Sequence, residues 1–161
     1  MKKKNYLLII IVLVILAILL LSTNPSPINR QKVNMDYATF EVPDGYRITN
    51  TTNHSVTIKD YDKNHVITIY EPVNATDMET ALTLFEDKVK DNVNVSQEDY
   101  NYGNNITGNK TTTQKLDKDN NITTTTRYWF TNKNQIYYAQ TKNTPSHVEK
   151  DINFIVNSIE K

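Results

Sequence analysis

The sequence contains no cysteine, and this absence excludes several kinds of protein. A chain without thiols forms neither a disulfide framework nor a zinc–thiolate site. No cysteine follows the apolar N-terminal run, so the chain cannot be anchored as a lipoprotein. An exported domain made from this chain must therefore be stable through the packing of its core alone.

Glycine is almost as scarce, and the glycines are too widely spaced to form a loop that cradles phosphate. They are Gly45, Gly103 and Gly108. Serines are few, none has an evident base as its partner, and the carboxylates are scattered over predicted turns and helix faces. We therefore expect neither enzymatic activity nor a cofactor.

Histidine is also rare, and the spacing of the three histidines does not match a metal motif such as H-x₃-H. His54 and His65 could face each other across a hairpin, but we expect both on the surface of strands. His147 falls in the first turn of a predicted helix, where we expect it to be solvated.

Neither sign of charge predominates over the whole chain, because 18 basic residues balance 18 acidic ones. Without Lys2, Lys3 and Lys4, the remaining chain has 15 basic against 18 acidic residues, a formal charge of −3. A nucleic-acid-binding domain needs a basic surface, so this balance argues against nucleic acid as a partner.

Residues 6–21 form an apolar run without a single charge. Extended by Ser22 and Thr23, this run reaches the ~17–25 residues that a membrane-spanning helix needs. The lysines before it and their absence just after it place the N-terminus in the cytoplasm. The alternative is a cleaved signal peptide, but the run is long for one and lacks a small-x-small cleavage site.

The chain is therefore predicted to have three parts. Residues 1–23 form a retained transmembrane anchor that contacts the membrane through residues 6–22. Residues 24–32 form a proline-containing linker, and residues 33–161 form one extracytoplasmic domain.

Alternation of apolar and polar residues predicts strands along most of this domain. The predicted strands cover residues 36–42, 55–61, 65–71, 111–116, 122–132 and 136–139, with another starting at Tyr46. Polar turns at 62–64 and 117–121 predict two hairpins. Residues 127–130 and 136–139 are apolar on both sides, which is typical of central strands covered on both faces.

Two helices are predicted from apolar residues at helical spacing. The first covers residues 76–93 and begins with a capping box formed by Thr76 and Glu79, and the second covers residues 146–161. Residues 94–110 are polar and predict no regular element. The order of strands, helix, strands and helix predicts an α+β domain around an antiparallel sheet.

Several short motifs occur in a fixed order along the domain. They are F-x-V-P-x-G-Y at 40–46, Y-W-F at 128–130, I-Y-Y at 136–138 and F-I-V-N-S-I at 154–159. Together with the mid-chain helix, they resemble the PsbP-like family over residues 37–161. The resemblance implies an α/β/α sandwich with a central antiparallel sheet. It also implies a binding or assembly role without enzymatic activity, as in extrinsic photosystem subunits and partners of small GTPases.

Two predicted turns share the pattern D-x-D-x-N, and calcium loops use oxygen ligands at such alternate positions. The candidate ligands are Asp60, Asp62, Asn64, Asp117, Asp119 and Asn121. An EF-hand loop also needs a glycine and a glutamate at later positions, and the first turn supplies only Glu71. Because Asp and Asn also stabilise hairpin turns, we favour a turn-forming role over a metal site.

Glycans are relevant in two ways. Tyr100 and Tyr102 lie in a polar segment and are predicted surface aromatics that could stack on sugars, whereas Trp129 is expected in the core. Among the N-x-S/T sequons, those expected in turns and thus open to glycosylation are Asn50, Asn53 and Asn121.

These observations predict a single-pass, membrane-anchored, extracytoplasmic module that binds or helps to assemble an envelope protein. The alternative is a module that binds cell-wall glycan, and a third reading is an enzyme of unknown type.

Overall fold

The computed structural model describes residues 30–36, 38–71, 74–88, 94–143 and 146–160. Within these residues, nine strands and two helices form an α+β fold, which confirms the predicted fold class at that level. The predicted anchor over residues 1–23 and the first part of the predicted linker lie outside the described residues. No helix in the described part of the chain is long and apolar enough to cross a membrane.

Most of the strands belong to one large antiparallel sheet. The elements are β1 (Lys32–Asn34), β2 (Thr39–Glu41), β3 (Tyr46–Thr51), β4 (Ser55–Asp60), β5 (His65–Tyr70), α1 (Met78–Lys88), β6 (Asn94–Gly103), β7 (Ile106–Leu116), β8 (Ile122–Asn132), β9 (Gln135–Lys142) and α2 (Ser146–Ser158). β1 and β2 form a separate two-stranded sheet, to which Glu160 adds a single bridge at Thr39, and the large sheet has the order β3-β4-β5-β9-β8-β7-β6. The predicted hairpins are confirmed as β4–β5 and β7–β8.

Strands β8 and β9 lie near the middle of the sheet, and residues 128–130 and 136–137 are buried on both of its faces. Tyr128 and Phe130 point to one side and Trp129 to the other, and none of the three is more than 2% exposed. In β9, Ile136 and Tyr137 are likewise buried on opposite sides. The central position predicted from these apolar runs is confirmed.

Two elements cover the first side of the sheet. Val148, Ile152 and Ile155 of α2 are fully buried in a core that also contains Ile67 of the sheet. The β1–β2 pair adds Phe40 to the same core. The apolar stripe predicted for the second helix is therefore confirmed as its buried face.

Helix α1 covers the second side of the sheet, where a smaller core forms. Ala81, Leu82 and Phe85 pack against Trp129, and the rings of Phe85 and Trp129 meet edge to face with centroids 5.4 Å apart. The helix has 11 residues and is therefore only ~16 Å long. Among the described residues, no other element adds to this smaller core.

The polar segment 94–110, for which no regular element was predicted, forms β6 and the start of β7. The turn between them uses left-handed backbone at Gly103, Asn104 and Asn105. Side chains of β6 are mostly exposed, so the strand shows no apolar alternation and is held by its pairing with β7.

The first helix begins at Met78, two residues after the predicted start at residue 76. The carboxylate of Asp77 accepts the backbone N–H of Thr80 at 2.7 Å and the hydroxyl of Thr76 at 3.0 Å, so Asp77 is the N-cap. These hydrogen bonds, that of the Thr80 backbone first, lower the pKa of Asp77 and keep it ionised at the positive end of the helix. Lys32, which was assigned to the linker, is the first residue of β1.

Gly108 of β7 faces the backbone of β8 at a distance that no side chain could occupy. A Cβ atom at this position would lie 1.9 Å from the carbonyl oxygen of Trp129 and 3.1 Å from the ring of Tyr102. The Gly108→Ala variant must therefore separate β7 from β8. We expect it to lose about 2–3 kcal/mol of free energy of unfolding, measured by urea denaturation.

The matched control is Thr107→Ala, because Thr107 is the exposed neighbour of Gly108 in the same strand. We expect this control to lose less than about 1 kcal/mol. Equal urea midpoints for the two variants would contradict the close approach of the strands.

Candidate ligand-binding face

The side of the sheet that carries α1 is only partly covered. In β4, Ile58 is fully buried under α2, whereas the adjacent Thr57 and Lys59, which point to the α1 side, are half-exposed. In β5, Thr68 is half-exposed and Val66 is 42% exposed. We call this area the open face; its side chains are Arg47, Ser55, Thr57, Lys59, Val66, Thr68, Lys115, Thr123, Thr125, Arg127, Gln140 and Lys142.

The charged side chains that the strands contribute to the open face are basic, and one carboxylate, Asp117 in the turn after β7, borders them. Arg47 lies opposite Lys59, and Lys142 lies opposite Thr125 of β8. Arg127 and Lys115 lie on the same face, on either side of the row of paired residues that contains Lys142 and Thr125. We call Arg47, Lys59, Lys142, Arg127 and Lys115 the basic stripe. Since neighbouring strands are ~4.8 Å apart, the stripe crosses ~24 Å of sheet from β3 to β7.

No cation of the basic stripe forms an ion pair with a carboxylate among the described residues. Off this face, by contrast, Lys110 is paired with two carboxylates: its Nζ lies 2.9 Å from Glu149 and 3.0 Å from Glu98. Burial lowers the pKa of Lys110, but the bonds to Glu149 and Glu98 outweigh burial and raise it. The charge of the basic stripe is therefore left for a partner from outside.

Arg127 is the most enclosed cation of the stripe. Its guanidinium carbon lies 4.8 Å from the centre of the Phe85 ring, and it donates a hydrogen bond to the Thr113 hydroxyl at 3.4 Å. Burial lowers the pKa of Arg127. The electrostatic interaction with the neighbouring Tyr138 and Tyr70 raises the pKa and so opposes part of this effect. A charge that has lost part of its hydration is stabilised by a nearby anion.

Arg127 lines a cavity of about 360 Å³ together with Lys115 and Lys142. The other side chains of the cavity are Thr113, Thr123, Thr125, Leu116 and Asp117. Guanidinium groups bind carboxylate and phosphate in a two-point geometry, and threonine hydroxyls can donate further hydrogen bonds. The cavity thus has the donors that an oxyanion needs.

A second cavity of about 340 Å³ adjoins the first at Lys142. It is lined by His65, Thr68 and Gln140, among others, and runs over β5 and β9. Next to it, the hydroxyls of Thr57 and Thr68 lie 3.1 Å apart across β4 and β5. The depression on the open face therefore follows the direction of the basic stripe.

Aromatic side chains mark two places along the same face. Tyr61 is 57% exposed, and the charged ends of Arg47 and Lys59 lie 5.8 Å and 5.2 Å from its ring centre. Tyr70 and Tyr138 are stacked with ring centres 4.6 Å apart. Burial raises the pKa of Tyr138, so its hydroxyl stays protonated and can donate a hydrogen bond.

The first calcium candidate, around Asp60, forms a closed turn. Asp60 is only 2% exposed, and its Oδ1 accepts the backbone N–H groups of Asp62 at 3.0 Å and Lys63 at 3.2 Å. Asn64 supplies the left-handed residue of the turn, with a φ of 57°. The Asp60 carboxylate thus binds backbone N–H groups of its own turn, which agrees with the turn-forming interpretation of the D-x-D-x-N pattern.

The second candidate, around Asp117, is built in the same way. Oδ1 of Asp117 accepts the N–H groups of Asp119 and Asn121, both at 2.8 Å. These bonds, that of Asn121 first, lower the pKa of Asp117. Within the described residues, no group of three or more histidine and carboxylate side chains is arranged to hold a metal ion.

The predicted surface aromatics lie on the other side of the sheet, and the prediction was wrong for Tyr102. Its side chain is 2% exposed, and its hydroxyl donates to the carbonyl oxygen of Trp129 at 2.8 Å. Tyr100 is half-buried and packs edge to face on Tyr128, with ring centres 5.2 Å apart. Tyr102 is buried because the segment that contains it forms strand β6 and not a polar loop, and the strand directs this side chain toward the core. Trp129 lies in the core, as predicted.

The predicted glycan acceptors are all exposed. Asn53 and Asn121 lie in turns, as expected, whereas Asn50 lies in strand β3. Their glycosylation stays a prediction.

The histidines form two separate contacts. His65 and His147 are within hydrogen-bonding distance, with Nδ1 and Nε2 2.9 Å apart, so the expectation of a solvated His147 was wrong. His54 lies at the other end of the hairpin, with its Nδ1 3.3 Å from Glu71.

No known protein family matches the sequence, and no curated protein matches it. A solution structure of cyanobacterial PsbP from Synechocystis is similar to this chain with a TM-score of 0.46 and 11% sequence identity. The match covers 85% of this chain and 96% of the cyanobacterial protein.

The basic stripe was not found in the sequence because its members are dispersed over five strands. One signal was available: Lys59, Arg127 and Lys142 each occupy the positions of their strands that alternate with the buried core residues. Only the order and register of the strands show that these positions share one face.

Arg127 offers a direct test of whether the stripe serves stability or binding. Arg127→Met replaces the guanidinium over the Phe85 ring with an uncharged apolar chain and so removes a half-buried charge. We expect its free energy of unfolding to stay within about 1 kcal/mol of the original protein. Arg127→Ala loses the contact with Phe85 as well and should lose about 1–2 kcal/mol.

Both variants are measured by urea denaturation of the full-length protein. If the Met variant were destabilised as much as the Ala variant, the guanidinium would be part of the fold, and its assignment to a binding face would fail.

Proposed function

We propose that this chain is a non-catalytic binding or assembly module of the PsbP-like type. Its N-terminal residues 1–23 anchor it in the membrane, with the N-terminus in the cytoplasm and the domain on the outer side. The domain is an α/β/α sandwich that presents its open face to a protein partner of the envelope. The support for the anchor is the uncharged run at 6–21 behind three lysines.

The observation that carries the binding role is the unequal cover of the two sides of the sheet. On one side, where α2 and the β1–β2 pair lie, the apolar side chains that β4, β5 and β9 direct to this core are at most 1% exposed. On the other side, the strands from β3 to β7 carry half-exposed side chains, and the cations among them have no carboxylate partner among the described residues. A broad surface with unbalanced charge and two adjoining depressions is suited to a ligand or partner.

Binding of cell-wall glycan is the second candidate function, and one observation favours it. The exposed Tyr61 lies beside Arg47 and Lys59, and threonine hydroxyls line the neighbouring strands. Aromatic rings stack on sugar rings, while hydroxyls and cations bind their polar groups. Tyr61 replaces Tyr100 and Tyr102 as the aromatic side chain best placed for this role.

The test is site-specific photo-crosslinking of the full-length protein in intact cells. A photoreactive amino acid replaces Gln140, which lines the second depression, or Lys150, an exposed residue of α2 on the opposite side. We expect the Gln140 position, and not the Lys150 position, to capture one envelope protein reproducibly. External protease should digest the domain in the same cells, because the topology places it outside.

Three other outcomes have defined meanings. Capture from Lys150 alone would refute the open face as the binding surface. Capture of no protein, with the domain sedimenting with purified wall, would favour the glycan-binding function. A domain that resists external protease until the cells are opened would refute the proposed topology.

A further inference from the structure

We propose that the open face binds an extended anionic polymer, whose phosphate or carboxylate groups lie along the basic stripe. This inference rests on the proposed use of the open face for binding, and it deepens the second candidate function by specifying the chemistry of a polymeric ligand. It is carried by the arrangement of Arg47, Lys59, Lys142, Arg127 and Lys115 on one side of the sheet.

The length of the stripe favours a polymer over a compact anion. A single phosphate or carboxylate fills only the cavity beside Arg127, which contains three of the five cations. Arg47 and Lys59 lie on β3 and β4, ~15–20 Å away across the strands between them. A ligand that uses the whole stripe must therefore carry several negative groups along an extended chain.

The charge of the stripe is local and does not reflect a basic protein. Beyond the three N-terminal lysines, the chain has an excess of acidic residues. On the α1 side, Glu79 and Glu86 border a groove that is also lined by Gln97 of β6 and Asn109 of β7 and by none of the stripe cations. A polyanion is thus attracted to one band of the surface and repelled from its neighbour, which fixes the path of the bound chain.

The side chains between the cations can hydrogen-bond to such a ligand. Thr57, Thr68 and Thr125 and the amide of Gln140 lie between the charged positions and are half-exposed. They can donate to phosphate or carboxylate oxygens and accept from the hydroxyl groups of a sugar or polyol backbone. The face therefore combines the donors that a charged, hydroxyl-bearing polymer requires.

The test measures binding of two polymer probes to the full-length protein in a non-ionic detergent. The probes are long-chain polyphosphate and polygalacturonate, which separate phosphate from carboxylate as the recognised group. Lys59→Gln and Lys115→Gln neutralise opposite ends of the stripe, singly and together. The control is Lys133→Gln with Lys150→Gln, two exposed lysines in a turn and on α2 that lie off the open face.

We expect at least one probe to bind and its affinity to fall about threefold in each single variant and on the order of tenfold in the double variant. The logarithmic salt dependence of binding should decrease by roughly 1.5 in the double variant, since each neutralised contact contributes roughly 0.7–0.9. The control pair should change the affinity by less than about twofold, and circular dichroism should show that all variants are folded.

Several results would overturn the inference. Equal losses in the double variant and the control would mean that net charge alone attracts the probe. A loss caused only by Lys115→Gln would indicate a compact anion in the Arg127 cavity. Absence of binding to both probes, with reproducible capture of a protein from Gln140, would refute the polymer while leaving the proposed function intact.

Discussion

The burial of residues 128–130 of β8 and 136–137 of β9 on both faces of the sheet is the constraint on which the rest of the structure depends. Tyr128 and Phe130 on one side and Trp129 on the other each need an apolar cover. A single amphipathic helix buries one face of a sheet, so two helices are required. Helix α2 covers one side and helix α1 covers the other. Their contacts with β8 and β9 fix the centre of the domain.

The open face follows from the size of these covers. A sheet of seven strands is ~29 Å wide, whereas α1 is only ~16 Å long. On the α2 side, β1 and β2 extend the cover, but among the described residues nothing comparable extends α1. The uncovered strands therefore carry threonine, glutamine, lysine and arginine where the core would demand apolar residues. Because α1 is too short to cover this face, the cations on it are also available for binding.

The sequence predicted those parts of the fold whose local pattern is strong. The hairpins β4–β5 and β7–β8, the central strands and the buried stripes of both helices were all visible as apolar periodicity. β6 was missed because an exposed strand has no such periodicity, and Tyr102 was misplaced with it. The D-x-D-x-N pattern allowed either a metal loop or a turn, and the contacts of Asp60 and Asp117 are those of turns.

The basic stripe could not be predicted for a different reason. Its residues are far apart in sequence, and their common face depends on strand order and on register. Arg47 and Lys59 are adjacent only because β3 pairs with β4 in one register, and a shift by one residue would turn Lys59 to the core. Information of this kind is absent from any local window of the chain.

The central claim is that the open face is the surface used for binding, whatever the ligand. Hydroxyl-radical footprinting in native envelope membranes, compared with the isolated full-length protein, tests it directly. Tyr61 and Val66 lie on or beside the open face, and Leu84 and Ile122 lie elsewhere with similar exposure, between 42% and 60% for the four. We expect Tyr61 and Val66 to lose reactivity in the envelope while Leu84 and Ile122 keep theirs. Unchanged reactivity of Tyr61 and Val66, or equal loss at all four residues, would contradict it.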